Sequence, residues 1–388
     1  MKLKTTRVSD YLGLTSAAPT GLLHETDMGS EAIVGILDSG IWPDSKSFND
    51  NGLGPIPTRW KGKCVSAEAF NASSCNRKLI GAMYYSKGLE SKYNGSFNAA
   101  EKGEVMSPLD KIGHGTHCAS TAVGSFVPDA NVLSLAQGTA RGSAPRARIA
   151  SYKVCWNNEE CFTPDIVKAI DHAIRDGVDV LSLSLGSEVP VDFEVDRDDF
   201  AIAAFHAVMK GIPVVCAGGN DGPEKETISN VAPWLITVAA TTMDREYFTP
   251  ITLGNNITLL VRIWLLVSQE TVTVHLSFNS SFSVGSHSQG QEGLYIGEEV
   301  GFTDLLFYDD VTREDMEAGK ATGKILLFFQ RANFEDDFAA YAKSKGAVGV
   351  IIATQPTDSI DASTVDIAIA YVDNELGMDI LLYIQTTK

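Results

Sequence analysis

The sequence predicts an α/β protein: a parallel sheet with helices on both faces, followed by a second, smaller domain. Three observations carry that prediction. Short apolar runs without alternation recur between residues 32 and 240, as strands buried on both faces require. Helical stretches separate them, and strand–helix–strand alternation implies a parallel sheet with right-handed crossovers. The alternation then resumes over 324–353, past an irregular stretch. The expected division is 1–250 for the first domain, 251–289 for an irregular linker and 290–388 for the second domain.

Ala32 to Leu37 is the first buried strand, ending at Asp38-Ser39-Gly40. Residues 52–110 are polar and rich in Gly, Asn and Ser, and are expected as long surface loops. His114 to Gly124, built from Ala, Ser, Thr and Gly, suits a helix packed closely through a core. Ile149 to Cys155 is the next strand. Thr163-Pro164-Asp165 starts a helix, with Thr as N-cap and Pro in the first turn. Ile166, Ile170 and Ile174 repeat at helical spacing with Ala169 and Ala173, and Gly177 stops the run. Val178 to Leu185 is a strand, Asp199 to Lys210 a helix, and Ile212 to Ala217 and Leu235 to Ala240 two more strands. In the second domain, Lys324 to Phe329 and Ala347 to Ala353 are strands around a helix over Phe334 to Lys345.

Composition narrows the function. The 388 residues hold 49 acidic and 31 basic side chains, a net charge of −18. A nucleic-acid binder needs a basic footprint, which this chain lacks. Its longest apolar stretch, Ile257 to Val267, is interrupted by Arg262 and is shorter than the ~20 residues a bilayer span needs. Cys64 with Cys75, and Cys155 with Cys161, have spacings that suit local disulfides, although spacing alone leaves connectivity open. A zinc site is disfavoured because no Cys-x-x-Cys or Cys/His quartet occurs. Cys118 and Cys216, in small apolar runs, are expected as buried free thiols. Glycosylation triplets stand at Asn71, Asn94, Asn256 and Asn279. Together with the cysteine pairs they point to an oxidising, secretory environment, whereas Met1-Lys2-Leu3-Lys4 opens no signal peptide.

Three positions make most of an acyl-transfer site. In open parallel sheets functional groups gather at the carboxyl ends of strands. Asp38 ends the first strand, His114 opens the small-residue helix, and Asn220 follows a strand in Ala217-Gly218-Gly219-Asn220. A serine hydroxyl needs an imidazole base. The imidazole needs a carboxylate to fix its tautomer, and the tetrahedral intermediate needs a donor aimed at its oxyanion. Taken singly, Asp38 and Asn220 are ordinary turn residues. Asp38-Ser39-Gly40 suggests an aspartic-protease site, but no second Asp-Ser/Thr-Gly follows a strand. His114 and His117 lack a third metal ligand at regular spacing. Gly319 to Lys324 lacks the spacing and the Ser/Thr of a phosphate loop. Leu183-Ser184-Leu185-Gly186 offers an edge for an extended peptide. No metal or cofactor is expected, and a polypeptide is the expected partner.

Ile33 to Phe48 (IVGILDSGIWPDSKSF), Gly113 to Thr121 (GHGTHCAST) and Ala217 to Pro223 (AGGNDGP) resemble, in that order, the three early signature blocks of the subtilases, the subtilisin-like serine proteases. Trp42-Pro43-Asp44-Ser45, Cys75 to Ala82 (CNRKLIGA) and Ser151 to Trp156 (SYKVCW) resemble the plant branch. Residues 290–388, notably Gly323-Lys324-Ile325 and Gly346 to Ile351, resemble the protease-associated domain inserted in that branch.

The resemblance implies a subtilisin-like fold and a secreted serine endopeptidase. Asp38 then orients, His114 is the general base and acid, and Asn220 is the oxyanion donor. Ser184, Leu185 and Gly186 with Ala217, Gly218 and Gly219 line the primary specificity pocket. Two departures accompany it. The family's Gly-Thr-Ser-Met serine motif does not occur before Lys388, and the start resembles the junction where the family's propeptide is cut, near Thr5-Thr6-Arg7. The expectation is therefore a chain truncated at both ends, without its nucleophile and inactive alone. The competing expectation is a non-catalytic protein that holds peptides or partners without cutting.

Overall fold

The computed structural model describes residues 8–14, 21–132, 135–156, 160–186, 198–222, 225–241, 248–252, 258–262, 275–277, 299–302, 305–307, 318–329, 338–354 and 367–386. The chain divides into two compact units, 1–130 with 138–243 and 131–137 with 244–388.

The first unit is built on six strands: β1 (Ile33–Asp38), β2 (Leu79–Tyr84), β3 (Arg148–Lys153), β4 (Val180–Leu183), β5 (Val214–Ala217) and β6 (Ile236–Val238). They run in the order β6-β5-β4-β1-β3-β2, and every pairing is parallel. Because strand side chains alternate between faces, β1 serves two cores. Ile33 and Leu37 pack with α3 (Thr163–Asp176) and α4 (Asp199–Val208), through Ile166, Ala169, Ile170, Phe200 and Ala204. Val34 and Ile36 face the opposite side and pack with Ala119 and Val123 of α2 (His114–Val123). The sheet therefore carries helices on both faces, as the alternation predicted.

The α3 boundaries follow from local chemistry, with one shift. Phe162 occupies the N-cap position without a side-chain cap, and Thr163 is the first helical residue rather than the cap. At the far end Gly177 adopts φ 90°, and its N–H closes on Ala173 O. That left-handed closure is what glycine allows at no steric cost.

The expectation of loops over 52–110 is corrected: β2 and a short helix, α1 (Lys87–Lys92), lie inside it. The strand was hidden by its small residues. Gly81 lacks a side chain because the Trp60 ring covers it; a Cβ there would lie 2.6 Å from the indole. Tertiary packing thus overrides a turn-like composition.

In the second unit, β7 (Phe248–Thr252), β8 (Thr258–Arg262), β9 (Leu305–Phe307), β10 (Ile325–Phe329), β11 (Gly349–Thr354) and β12 (Ala368–Asp373) form one sheet, ordered β7-β8-β12-β11-β10-β9. The β9 to β12 pairings are parallel, and β7 and β8 form an antiparallel hairpin. Within the stretch expected to be irregular, the described residues thus include strand. Ile325, Leu327, Ile351 and Ala353 pack against α6 (Asn374–Thr386), while Leu326, Val350 and Ile352 pack on the other face with Ala342 of α5 (Phe338–Ser344). The first four residues of the expected helix, 334–337, lie outside the described residues. No helix among the described residues is long and apolar enough to cross a membrane.

Candidate active site

Parallel strands bring their carboxyl ends to one rim, and β1, β4 and β5 are neighbours there. Asp38 ends β1, Ser184 to Gly186 continue from β4, and Gly218 to Asn220 continue from β5. His114 reaches the rim from the first position of α2. The sheet topology therefore gathers at one edge residues separated by up to 182 positions (220 − 38).

His114 Nδ1 lies 2.7 Å from Asp38 Oδ1. The carboxylate is an acceptor, so the ring proton belongs on Nδ1 and Nε2 carries the basic lone pair. Asp38 is 2 % exposed, and its Oδ1 also accepts the Ser39 N–H at 2.7 Å. The His114 side chain keeps 44 % of its surface exposed. A buried acceptor behind a solvent-facing imidazole is the geometry of an oriented base.

The loop that delivers His114 is tied from below. Lys153, at the end of β3, donates to Leu109 O at 2.8 Å, pairs with Glu104 at 2.9 Å and lies 4.5 Å from the Trp156 ring centroid. Burial outweighs the Glu104 carboxylate and holds the Lys153 pKa below its usual value. Asp110, which the sequence reading did not single out, accepts hydrogen bonds from Ser39, Ile112, Gly113 and Thr116. Its only sequence signal is an acid four residues before the helix that His114 opens.

Asn230 was also missed. Its Nδ2 donates to Leu185 O at 2.9 Å and to Ala217 O at 2.8 Å, clamping the chain after β4 to the end of β5. Gly219 has φ 95°, and a Cβ there would meet Ser229 Oγ at 3.0 Å. Asn220 is exposed at a bend immediately beyond.

Cys118, expected buried, is only half-buried, whereas Cys216 is buried. One helical turn after His114, the Cys118 Sγ is 3.7 Å from His114 Nδ1. Burial, reinforced by the Asp38 charge, pushes this thiol up to about 11. It stays protonated at neutral pH and is a poor nucleophile. Asp38, His114 and Cys118 are the one group among the described residues whose ligand atoms, within 4.8 Å of one another, are close enough to hold a cation. Nδ1 is already engaged by Asp38, so a cation here would have to displace both that hydrogen bond and the thiol proton.

Two disulfides, Cys64–Cys75 and Cys155–Cys161, are formed. Asn71 and Asn94 are exposed. Asn71 Oδ1 accepts from both N and Oγ of Ser73, which leaves its amide nitrogen outside those bonds. Asn256 and Asn279 lie outside the described residues.

Known proteins resemble this chain along its whole length. The Subtilase family, Peptidase S8, matches residues 29–344. The chain is 92% identical over 388 residues to subtilisin-like protease SBT3.16 of Arabidopsis thaliana, covering 100% of this chain and 47% of that protein. It is 50% identical over 388 residues to SBT3.17 of the same plant, covering 100% of this chain and 48% of that protein. The chain thus spans about half the length of the curated relatives it matches. Among solved structures, the psychrophilic subtilisin-like protease Apa1 from the Antarctic psychrotroph Pseudoalteromonas sp. AS-11 aligns with a TM-score of 0.43 and 16% identity, over 98% of this chain and 80% of that one. With the family profile covering most of its length and plant subtilisin-like proteases matching it from end to end, the chain belongs to the subtilase family.

Proposed function

We propose that these residues carry the base and the oxyanion donor of a serine endopeptidase. The observation that carries the reading is the 2.7 Å contact between His114 Nδ1 and buried Asp38. In this reading, Nε2 removes the proton of a serine hydroxyl as its oxygen attacks a peptide carbonyl. Asp38 holds the imidazole in the Nδ1–H tautomer and stabilises the imidazolium that forms. The Asn220 amide donates to the oxyanion, and Nε2 then returns the proton to the leaving amine. A water repeats the sequence on the acyl-enzyme. Ser184 to Gly186 and Ala217 to Gly219 pair with the extended substrate and line the pocket for its side chain.

No Gly-Thr-Ser-Met motif occurs in the 388 residues, so the reading locates the nucleophile on polypeptide outside them. The second unit corresponds, in the same reading, to the protease-associated domain. Two disulfides, with sequons at exposed Asn71 and Asn94, support a secreted, glycosylated protein.

The test is purified chain with labelled casein and a serine-directed fluorophosphonate probe. Residues 1–388 alone are expected to show neither subtilase-rate turnover nor labelling. Sites without a triad member retain only about 10³–10⁴-fold acceleration over water. The same residues fused to the serine-bearing part of a relative should cleave and label, and His114→Ala should abolish both. Stoichiometric labelling of residues 1–388 alone, or His114-independent turnover of the fusion, overturns the assignment.

A further inference from the structure

We propose that Asp110 is the positioning residue of the Asp38–His114 pair, fixing both partners through one buried carboxylate. The inference deepens the peptidase reading and rests on it for the meaning of the pair. The helix that presents His114 begins with an uncapped end. Its N-cap is Gly113, with φ 96° and no side-chain cap, so the first-turn N–H groups need acceptors from elsewhere.

Asp110 supplies them, directly and through Ser39. Its Oδ2 accepts the Thr116 N–H at 2.9 Å and the Thr116 hydroxyl at 2.6 Å. Its Oδ1 accepts the N–H groups of Ile112 at 3.1 Å and Gly113 at 2.8 Å, on either side of the turn into the helix. The same Oδ1 accepts the Ser39 hydroxyl at 2.9 Å. Ser39 Oγ in turn accepts the Gly115 N–H at 2.8 Å. Both residues beside His114 are therefore bound, Gly113 to Asp110 and Gly115 to Ser39.

Ser39 is also the residue after Asp38, and its N–H donates to Asp38 Oδ1 at 2.7 Å, the oxygen that meets His114. One carboxylate thus orients the hydroxyl on the Asp38 side and the helix turn on the His114 side. The arrangement is rigid because Asp110 is 3 % exposed and its own N–H is bound to Ile41 O at 3.1 Å. Burial opposes ionisation, but the hydrogen bonds from Thr116, Gly113 and Ser39 prevail and hold its carboxyl below the usual range. The charged form, which accepts at both oxygens, is the form the site uses.

A residue that served only stability would weaken the fold without touching the imidazole. The discriminating readout is ¹⁵N NMR of the histidine ring in the 388-residue chain, which requires no turnover. Wild type is expected to show the Nδ1–H tautomer at His114, with the ring proton protected from solvent. In Asp110→Asn one acceptor oxygen becomes an N–H₂ facing existing donors, and charge-assisted bonds are lost. Exchange of the His114 ring proton should rise about tenfold or more, as expected for losing one such hydrogen bond, and Nε2–H tautomer should appear. Ser39→Ala removes the bridge while leaving the carboxylate, and should move the same two signals by a smaller factor. If Asp110→Asn does not fold, Ser39→Ala carries the test alone. A lowered melting temperature with unchanged tautomer and exchange at His114, in whichever variant folds, overturns the proposal. Because neither readout depends on a nucleophile, this failure is distinct from a negative fluorophosphonate experiment, which bears on the peptidase reading.

Discussion

Gly115→Ala should destabilise the first unit, against the usual preference of helices. Gly115 is the second residue of α2 and is buried. Within a helix, alanine is normally better than glycine by about 1 kcal/mol. Here a Cβ would lie 2.4 Å from Gly40 O, 3.0 Å from Gly40 N and 3.1 Å from Asp38 Cβ. None of these atoms belongs to a side chain that can swing aside, and favourable carbon contacts begin near ~3.5 Å. The helix start must recede from the β1 turn by roughly 1 Å, measured against that contact distance. Overpacking of a tight interior costs about 1–3 kcal/mol, and the upper end applies where backbone is struck. Receding also stretches the 2.7 Å His114–Asp38 bond, and a hydrogen bond to a charged group contributes about 1.5–3 kcal/mol. The net expectation, after subtracting the helix preference, is a loss of about 2 kcal/mol or more. Urea unfolding followed by tryptophan emission measures it, since Trp42, Trp60, Trp156 and Trp234 all lie in the first unit. At a urea slope of about 2 kcal/mol per molar the midpoint should fall by about 1 M. Thr121→Ala, at an exposed position of the same helix, should gain a few tenths of a kcal/mol, roughly the difference in propensity. A Gly115→Ala chain as stable as wild type, or more so, would refute the reasoning by showing that α2 has room to spare.

Two other perturbations separate site architecture from general stability. Lys78 is fully buried and donates to Pro145 O at 2.8 Å and Ala147 O at 2.6 Å. Burial, helped by the charge of Arg148, lowers its pKa from 10.5 to about 7. The folded chain then holds a proton less tightly than the unfolded chain, so this lysine makes stability rise with pH between about 7 and 10.5. Its cost below that window is constant, on the order of a few kcal/mol. Lys78→Met should flatten the curve across that window relative to wild type, and unfolding at several pH values would expose parallel curves if the lysine is charged when folded. Asn230 has φ 56°, so Asn230→Gly removes its two side-chain bonds without straining the backbone. The expected loss is about 2 kcal/mol from two neutral hydrogen bonds. Urea unfolding with a loss below a few tenths would mean that the β4 and β5 ends hold together without the clamp.

What could be read in the chain, and what could not, divides along the range of the forces involved. Ala32 to Leu37 and the Ile166, Ile170, Ile174 series announce themselves because burial on a sheet or a helix face imposes a local period. The Asp38–His114 pair was legible for a related reason. One residue ends a strand and the other begins a helix, and the order of the motifs around them resembles that of the subtilases. The strand Leu79–Tyr84 failed the same reading because its evidence lay elsewhere. Gly81 is a strand residue only when the Trp60 ring, twenty-one positions earlier, covers it, and the Trp60 Nε1 bond to Ile80 O at 3.1 Å completes the cover. Asp110 and Asn230 failed for a third reason. An Asp or an Asn in a polar loop is ordinary turn chemistry, and nothing in the flanking residues separates one that hydrogen-bonds water from one that holds Ser39, 71 positions away, or spans two strand ends. Reacting groups are marked by their own chemistry, whereas the groups that hold them in place are marked only by what they touch. Asp38 and His114 are therefore recovered from the sequence before Asp110, the buried carboxylate that binds Ser39 beside one and Gly113 beside the other.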